Sequence, residues 1–206
     1  LEKDKRITRI LKYEILKDKG DIEIVESDFL KYDFKGSFNK FVGNLPYYIT
    51  TPIIEKLLGL KFKKTKEIYI MVQREYADRI LANPGTKDYS SLSCFVRQNA
   101  DIKKLMSINR NCFFPVPKVD SVFLKLSYLD TPKVRVKNEE LLFKIIRKAF
   151  QQRRKMLLNS LSGKAIKDMD KNTLGSILED AGIDKDARPE ELSLEEFGKI
   201  ADRMAG

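Results

Sequence analysis

The chain has 206 residues and no histidine, and its 40 Lys and Arg outnumber 30 Asp and Glu to give a net charge of +10. Without imidazole the Ser-His-Asp and Cys-His mechanisms are excluded, and with no CxxC pair either, no metal site is expected. The cationic surplus points instead to a polyanionic partner.

Residues Leu1 to Lys12 read as a strand end running into a helix, with Ile7, Ile10, Leu11 and Ile15 at helical spacing. Asp21 to Val25 reads as a short strand followed by Glu26-Ser27-Asp28, and Phe38 to Val42 as another that ends in Gly43. Thr51 and Pro52 read as the N-cap and first residue of a helix through Leu58. A strand over Glu67 to Gln73, a helix over Arg74 to Ala82 and a turn at Asn83-Pro84-Gly85 follow. Ser90 to Asn99 is a helix or a strand; periodicity does not decide. Ile102 to Ile108 and Val119 to Leu126 read as an antiparallel pair, separated by Cys112-Phe-Phe-Pro-Val-Pro-Lys118. Past Thr131-Pro132 the pattern turns helical over Asn138 to Asn159, Lys171 to Ala181 and Leu194 to Met204, with a Ser193/Glu196 capping box.

Strands alternating with helices predict an α/β chain with an open, mostly parallel sheet over residues 1–130 and a small all-α domain over 131–206. In such sheets ligands sit at the C-terminal ends of the strands. Glu2, Asp28 and Asn44 each follow a predicted strand at that end and would line one crevice. Cys94 and Cys112 fall in apolar contexts and are expected as buried free thiols, so the expected compartment is reducing and cytoplasmic. No apolar run approaches the roughly 18 residues of a membrane span, and no membrane partner is expected.

The segment richest in chemistry is Asn44-Leu45-Pro46-Tyr47. Proline stiffens it and removes one N–H, leaving backbone carbonyls as acceptors. An aryl amine such as the adenine amino group is a poor nucleophile, because its lone pair is delocalised into the ring. The Asn44 side-chain oxygen and the Leu45 or Pro46 carbonyl together can hold both N–H groups and favour a pyramidal nitrogen. Tyr47 can stack on the base, worth on the order of 1–3 kcal/mol. Positioning supplies most of the rate in such a reaction, and no strong base is needed. Phe113, in a segment held rigid by Pro115 and Pro117, offers a second aromatic face for a flipped base.

From Leu141 to Lys167 there are eight Lys or Arg and no acid: Lys144, Arg147, Lys148, Arg153, Arg154, Lys155, Lys164 and Lys167. On one long helix Leu142, Ile145, Ile146, Ala149, Phe150, Met156 and Leu157 would form an apolar stripe, with Lys144, Arg147, Lys148, Gln151, Arg154 and Lys155 opposite. A face without acids repels itself unless a polyanion relieves it, so Lys144, Arg147, Lys148, Arg153, Arg154 and Lys155 are the expected RNA contacts. A plain solvated face is the alternative.

With these residues in view, the chain resembles the ribosomal small-subunit RNA adenine N6-dimethyltransferases. The landmarks are Leu1-Glu-Lys-Asp4, Glu26-Ser-Asp28, Gly43 to Tyr47, Met71 to Glu75, Thr86 to Tyr89, Phe113 to Val119, Phe150 to Lys155 and Ala187 to Ser193. The resemblance implies a Rossmann-like class I methyltransferase sheet and S-adenosylmethionine as methyl donor. It also implies two adjacent adenosines near the 3′ end of 16S rRNA, in the small ribosomal subunit, as the substrate of a monomeric enzyme. It places Glu2 on the donor's ribose, Asp28 on its adenine, Asn44 beside both donor and target amine, and Phe113 opposite Tyr47.

Families of this kind begin with a strand, a Gly-rich loop and a helix, and Leu1 already matches the end of their second strand. A missing βα unit would remove a central strand and leave buried N–H and C=O groups unpaired, so the chain is expected to be a fragment that binds the donor poorly. A catalytically inactive RNA-binding assembly factor is the alternative reading. A DNA adenine methyltransferase fits less well, because the basic helical region and its Phe150 to Lys155 landmark favour rRNA.

Overall fold

Four strands form one sheet in the order β1-β2-β4-β3, with β1 over Lys40–Asn44, β2 over Glu67–Gln73, β3 over Ala100–Ile108 and β4 over Ser121–Tyr128. The computed structural model describes residues 1–16, 20–36, 38–60, 65–163, 166 and 169–206. β2 and β4 alternate buried and half-buried residues, and their register pairs Ile68 with Leu126, Ile70 with Leu124 and Val72 with Val122. Beyond a first helix, α1 (Lys5–Ile10), these aliphatic pairs pack with Ile53, Ile54, Leu57 and Leu58 of α2 (Thr50–Leu60), Ala77 and Ile80 of α3 (Arg74–Leu81), and Leu92 and Val96 of α4 (Ser91–Asn99). Burying each such side chain contributes about 1.5–3 kcal/mol relative to leaving it in water.

The expected mostly parallel sheet is corrected: β1–β2 is parallel, but β2–β4 and β3–β4 are antiparallel. The cause is the connection over residues 109–120, which returns β4 beside β2 in the reverse direction. Asp21 to Val25 is not a strand. A single bridge, Glu2 with Glu26, follows it, with Glu2 N–H on Val25 O at 3.0 Å and Ser27 N–H on Glu2 O at 2.9 Å, and its Ile22 stays 49% exposed. The outer edge of β1 pairs with no other described strand. Its residues alternate exposed and half-buried, with Val42 74% exposed.

Local signals shift by a residue or two. The strand expected over Phe38 to Val42 lies at Lys40–Asn44. Thr51 is not the cap of α2; a 3₁₀ turn over Tyr47–Ile49 runs directly into Thr50, and the Thr50 hydroxyl donates to Pro46 O at 3.1 Å. Pro52 still falls in the first turn, where its missing N–H leaves nothing unsatisfied. Ser90 to Asn99 resolves as helix, because Ser90 and Ser93 close a capping box (Ser90 N–H to Ser93 Oγ, 3.0 Å).

A second core lies among α5 (Glu139–Gln151), α6 (Leu157–Leu161), α7 (Lys171–Asp180) and α8 (Leu194–Ala205), around Leu142, Ile146, Leu174 and Phe197. It also takes in Tyr89 and Cys94 from the preceding half of the chain. The buried Gln98 of α4 locks the connecting segment: its Oε1 accepts Val134 N–H at 3.0 Å and its Nε2 donates to Val134 O at 2.8 Å. Gly198 makes room for that segment, since a Cβ there would stand 2.6 Å from Val134 Cγ1. The continuous helix expected over Asn138 to Asn159 is corrected too. It stops at Gln151, and residues 152–155 form a turn held by Lys155 N–H on Gln152 O at 2.8 Å. Of the two thiols, Cys94 is buried but Cys112 is exposed, because it sits in a 3₁₀ turn (Arg110–Cys112) outside the core.

Candidate active site

The bracket at the end of β1 is built from inside outwards. Asn44 is the last residue of the strand, opposite Met71, and Leu45 N–H continues the ladder onto Met71 O at 3.1 Å. The Leu45 side chain is buried in the sheet core, and Gly43 leaves space for it: a Cβ on Gly43 would stand 3.2 Å from Leu45 Cδ2. With that anchor buried, the Asn44 side chain stays exposed and Tyr47 is 43% exposed. The Pro46 carbonyl is not the free acceptor expected of it, because Ile49 N–H (3.2 Å) and the Thr50 hydroxyl both use it to start the turn. No described residue donates to the Leu45 carbonyl or the Asn44 amide oxygen, which leaves these two as adjacent open acceptors.

Register sets the remaining pieces at the same end of the sheet. Met71 pairs with Phe123, Gln73 with Ser121, and Ser121 with Ile108, so the loop carrying Phe113 leaves the sheet beside the bracket. That loop is braced at its base, where Asp120 Oδ1 accepts Arg110 N–H at 3.0 Å and Asp120 Oδ2 meets Arg74 at 3.3 Å. Phe113 is half-buried, whereas its neighbour Phe114 is 99% exposed.

Glu2 and Asp28 form a separate acidic pair. Glu2 Oε1 accepts Lys3 N–H and Asp4 N–H at 2.7 and 2.8 Å, and among the described residues nothing bonds Oε2. Asp28 Oδ2 pairs with the Lys3 ammonium at 2.8 Å and Oδ1 accepts Leu30 N–H at 2.9 Å. These two contacts hold the Asp28 carboxyl below its ordinary range, and Asp28 in turn raises Lys3. An ionised Asp28 and a free Glu2 oxygen are acceptors suited to an exocyclic amine and a ribose hydroxyl.

The basic residues divide. Lys144, Arg147 and Lys148 lie on α5, with Lys144 and Arg147 exposed. Arg153, Arg154 and Lys155 lie in the turn after it, where Arg153 donates to Lys87 O at 2.6 Å. Arg153 and Arg154 line a cleft of about 510 Å³ together with Lys87, Arg188 and Glu191. Lys164 and Lys167 lie outside the described residues. The sequence pattern overlooked Arg188, Lys3 and Lys56; Arg188 and Lys3 carried a signal, inside the Ala187 to Ser193 and Leu1 to Asp4 landmarks, and Lys56 carried none.

The family model for ribosomal RNA adenine dimethylase matches residues 1–205. The chain is 42% identical to the ribosomal RNA small subunit methyltransferase A of Clostridium acetobutylicum, over 99% of this chain and 74% of that protein. It is 44% identical to the protein of the same name from Clostridium botulinum strain Loch Maree, over 98% of this chain and 74% of that protein. In structure it is similar to a dimethyladenosine transferase from Plasmodium falciparum, with a TM-score of 0.80 at 27% identity, over 96% of this chain and 78% of that one. These likenesses agree with a Rossmann-like methyltransferase fold.

Proposed function

Starting from a chain that belongs to the ribosomal RNA adenine dimethylase family, we propose that Asn44, Leu45, Pro46, Tyr47 and Phe113 form the target-adenine site and that Glu2 and Asp28, with Asn44, hold the methyl donor. The protein is an rRNA adenine dimethyltransferase dependent on S-adenosylmethionine, which supplies an electrophilic methyl group on a sulfonium centre. The substrate is a pair of adjacent adenosines near the 3′ end of 16S rRNA in the small subunit, and the enzyme acts as a cytoplasmic monomer. Among the described residues no helix is long and apolar enough to cross a membrane.

The observation that carries this reading is the pair of open acceptors beside a buried anchor. Asn44 Oδ1 and the Leu45 carbonyl accept the two N–H groups of the adenine amine, and Tyr47 and Phe113 clasp its ring. Held this way, the nitrogen lone pair is drawn out of conjugation. The proton displaced on methylation is acidic and leaves to water, so a chain without histidine suffices. A monomethylated amine keeps one N–H, so the second transfer relies on one acceptor and on stacking. Residues 1–130 carry this chemistry, and residues 131–206, with Lys144, Arg147, Lys148, Arg153, Arg154 and Lys155, hold the RNA backbone.

The test is methyl transfer to small-subunit particles that lack the modification, with nucleosides separated after digestion. N6,N6-dimethyladenosine at two adjacent positions is expected. Binding to the particles without any methylated product would overturn the catalytic reading in favour of an assembly factor.

A further inference from the structure

Lys56, on the polar side of α2, has an unusual set of partners. An ammonium group carries three hydrogens, and three backbone carbonyls converge on this one: Phe29 O at 3.0 Å, Leu30 O at 2.8 Å and Tyr32 O at 2.6 Å. The rings of Phe29 and Phe34 stand 5.9 and 5.3 Å from the same nitrogen. Lys56 is half-buried, and no carboxylate bonds it among the described residues. A surface lysine ordinarily keeps its hydration; here three carbonyl dipoles and two ring faces replace the water.

The gripped segment is the turn that starts at Asp28. Lys31 N–H and Tyr32 N–H both donate to Asp28 O, at 3.0 and 2.9 Å, while Leu30 N–H reaches the Asp28 carboxylate. Carbonyls aimed at one point repel one another, so the turn keeps this shape while a cation sits at the focus. The conformation that fixes the Asp28 carboxylate is therefore the conformation that Lys56 stabilises. Its helix also starts at Thr50, straight after the turn that carries Tyr47. One side chain thus links the acid turn to the element that follows the target bracket.

We infer that Lys56 is a positioning residue that sets Asp28 for the adenine of the methyl donor and ties that subsite to the Asn44–Tyr47 bracket. This rests on the assignment of Asp28 to the donor's adenine. Lys56→Met keeps the aliphatic stem and removes all three donors. In the unliganded protein, amide exchange over residues 28–34 is expected to rise on the order of tenfold while α5 to α8 stay unchanged. The dissociation constant for S-adenosylhomocysteine, measured by calorimetry, is expected to rise roughly tenfold, with kcat at saturating donor within about twofold.

Lys56→Arg is not expected to restore binding, because a planar fork cannot meet three carbonyls converging on a point. Aminoethylation of Lys56→Cys in a Cys112→Ser background is expected to restore it. Cys94 stays out of that reaction, because burial pushes its thiol up to about 12. If Lys56→Met fails to fold, Lys56→Gln, which retains two N–H groups, is expected to raise both the exchange rate and the dissociation constant, each by less than about tenfold. Unchanged exchange and unchanged affinity in the folded variant overturn the proposal. Asp28→Asn separates the two ideas. If it weakens S-adenosylhomocysteine binding and Lys56→Met does not, the role of Lys56 fails on its own. If Asp28→Asn has no effect, the assignment of Asp28 fails and the proposal with it.

Discussion

The bracket after β1 and the basic turn after α5 both face the RNA in the proposed complex, but different forces hold them. The bracket is fixed by a strand ladder, a buried Leu45, a glycine that admits it and a proline that stiffens it. The turn at 152–155 is fixed by a few hydrogen bonds at the surface, such as Arg153 on Lys87 O. Orientation of a reacting amine is sensitive to fractions of an ångström, whereas phosphate attraction tolerates several. Rigid covalent and packing constraints therefore sit where the chemistry needs them, and flexible cations suffice where only affinity is required.

The sharpest way to break this contrast is Asn44→Ala. It removes one of the two open acceptors without touching the ladder, and a loss of about 10²–10³ in kcat is expected, the range typical for removing one oriented polar group. Affinity for the RNA particle should stay within about twofold, since Asn44 adds no charge. Single-turnover methylation with filter binding measures both, and a kcat reduced less than tenfold would remove Asn44 from the chemistry.

Next in size is the joint between the two regions. Gln98→Leu fits the volume but strands the N–H and C=O of Val134, which are paired with the Gln98 amide. A cost of roughly 1–3 kcal/mol is expected from leaving these two half-buried groups unpaired, read as a lowered urea midpoint. If the midpoint does not move, the connecting segment is not what couples the two cores.

How well each region could be read from the sequence follows from the same contrast. The bracket's shape was legible because residue types next to one another set it: an amide, a proline and an aromatic. Even there, the identity of the open carbonyl was not, since whether Pro46 O or Leu45 O is free depends on where the helix starts, and Thr50 rather than Thr51 decided that. The basic region was legible as composition but not as shape. Continuing the apolar period through Met156 and Leu157 ignored the break at Gln151, which is held by Leu157 N–H on Ala187 O, a partner 30 residues away. The sheet's antiparallel half was visible as a hairpin-like pair, yet the insertion of β4 next to β2 is a long-range choice that no local pattern encodes. Lys56 left no signal at all, because its partners are backbone atoms.

The basic turn itself makes a smaller and salt-dependent prediction. Replacing Arg153 and Arg154 together by Gln should lower the slope of log K against log salt by about 1.4–1.8, the counterion release of two phosphate contacts. The same double change at Lys144 and Arg147 on α5 tests whether the helix and the turn contribute equally. No change of slope for the Arg153/Arg154 pair would confine the RNA to α5.

The smallest effect lies at the far end of the sheet from the bracket, where Lys40 and Glu67 pair across β1 and β2. Glu67 is bonded by Lys125 and by Tyr69 Oη at 3.1 Å, and meets Lys40 at 3.3 Å, and the ammonium groups of Lys40 and Lys125 each stand 5.8 Å from the Tyr69 ring. Led by the Lys125 contact, these partners lower its carboxyl from 4.5 to about 2. Because the folded value lies below the unfolded one, the stabilisation is complete above about pH 4.5 and is lost as pH falls from there towards 2. Glu67→Gln should therefore flatten the acid limb of the stability curve in that window and lower stability only slightly at pH 7, since the site is in contact with water. Methyl transfer should be untouched, because nothing in this cluster reaches Asn44 or the basic turn. Urea midpoints at pH 3 and pH 7 decide it: an equal loss at both values would mean that Glu67 acts through packing rather than charge.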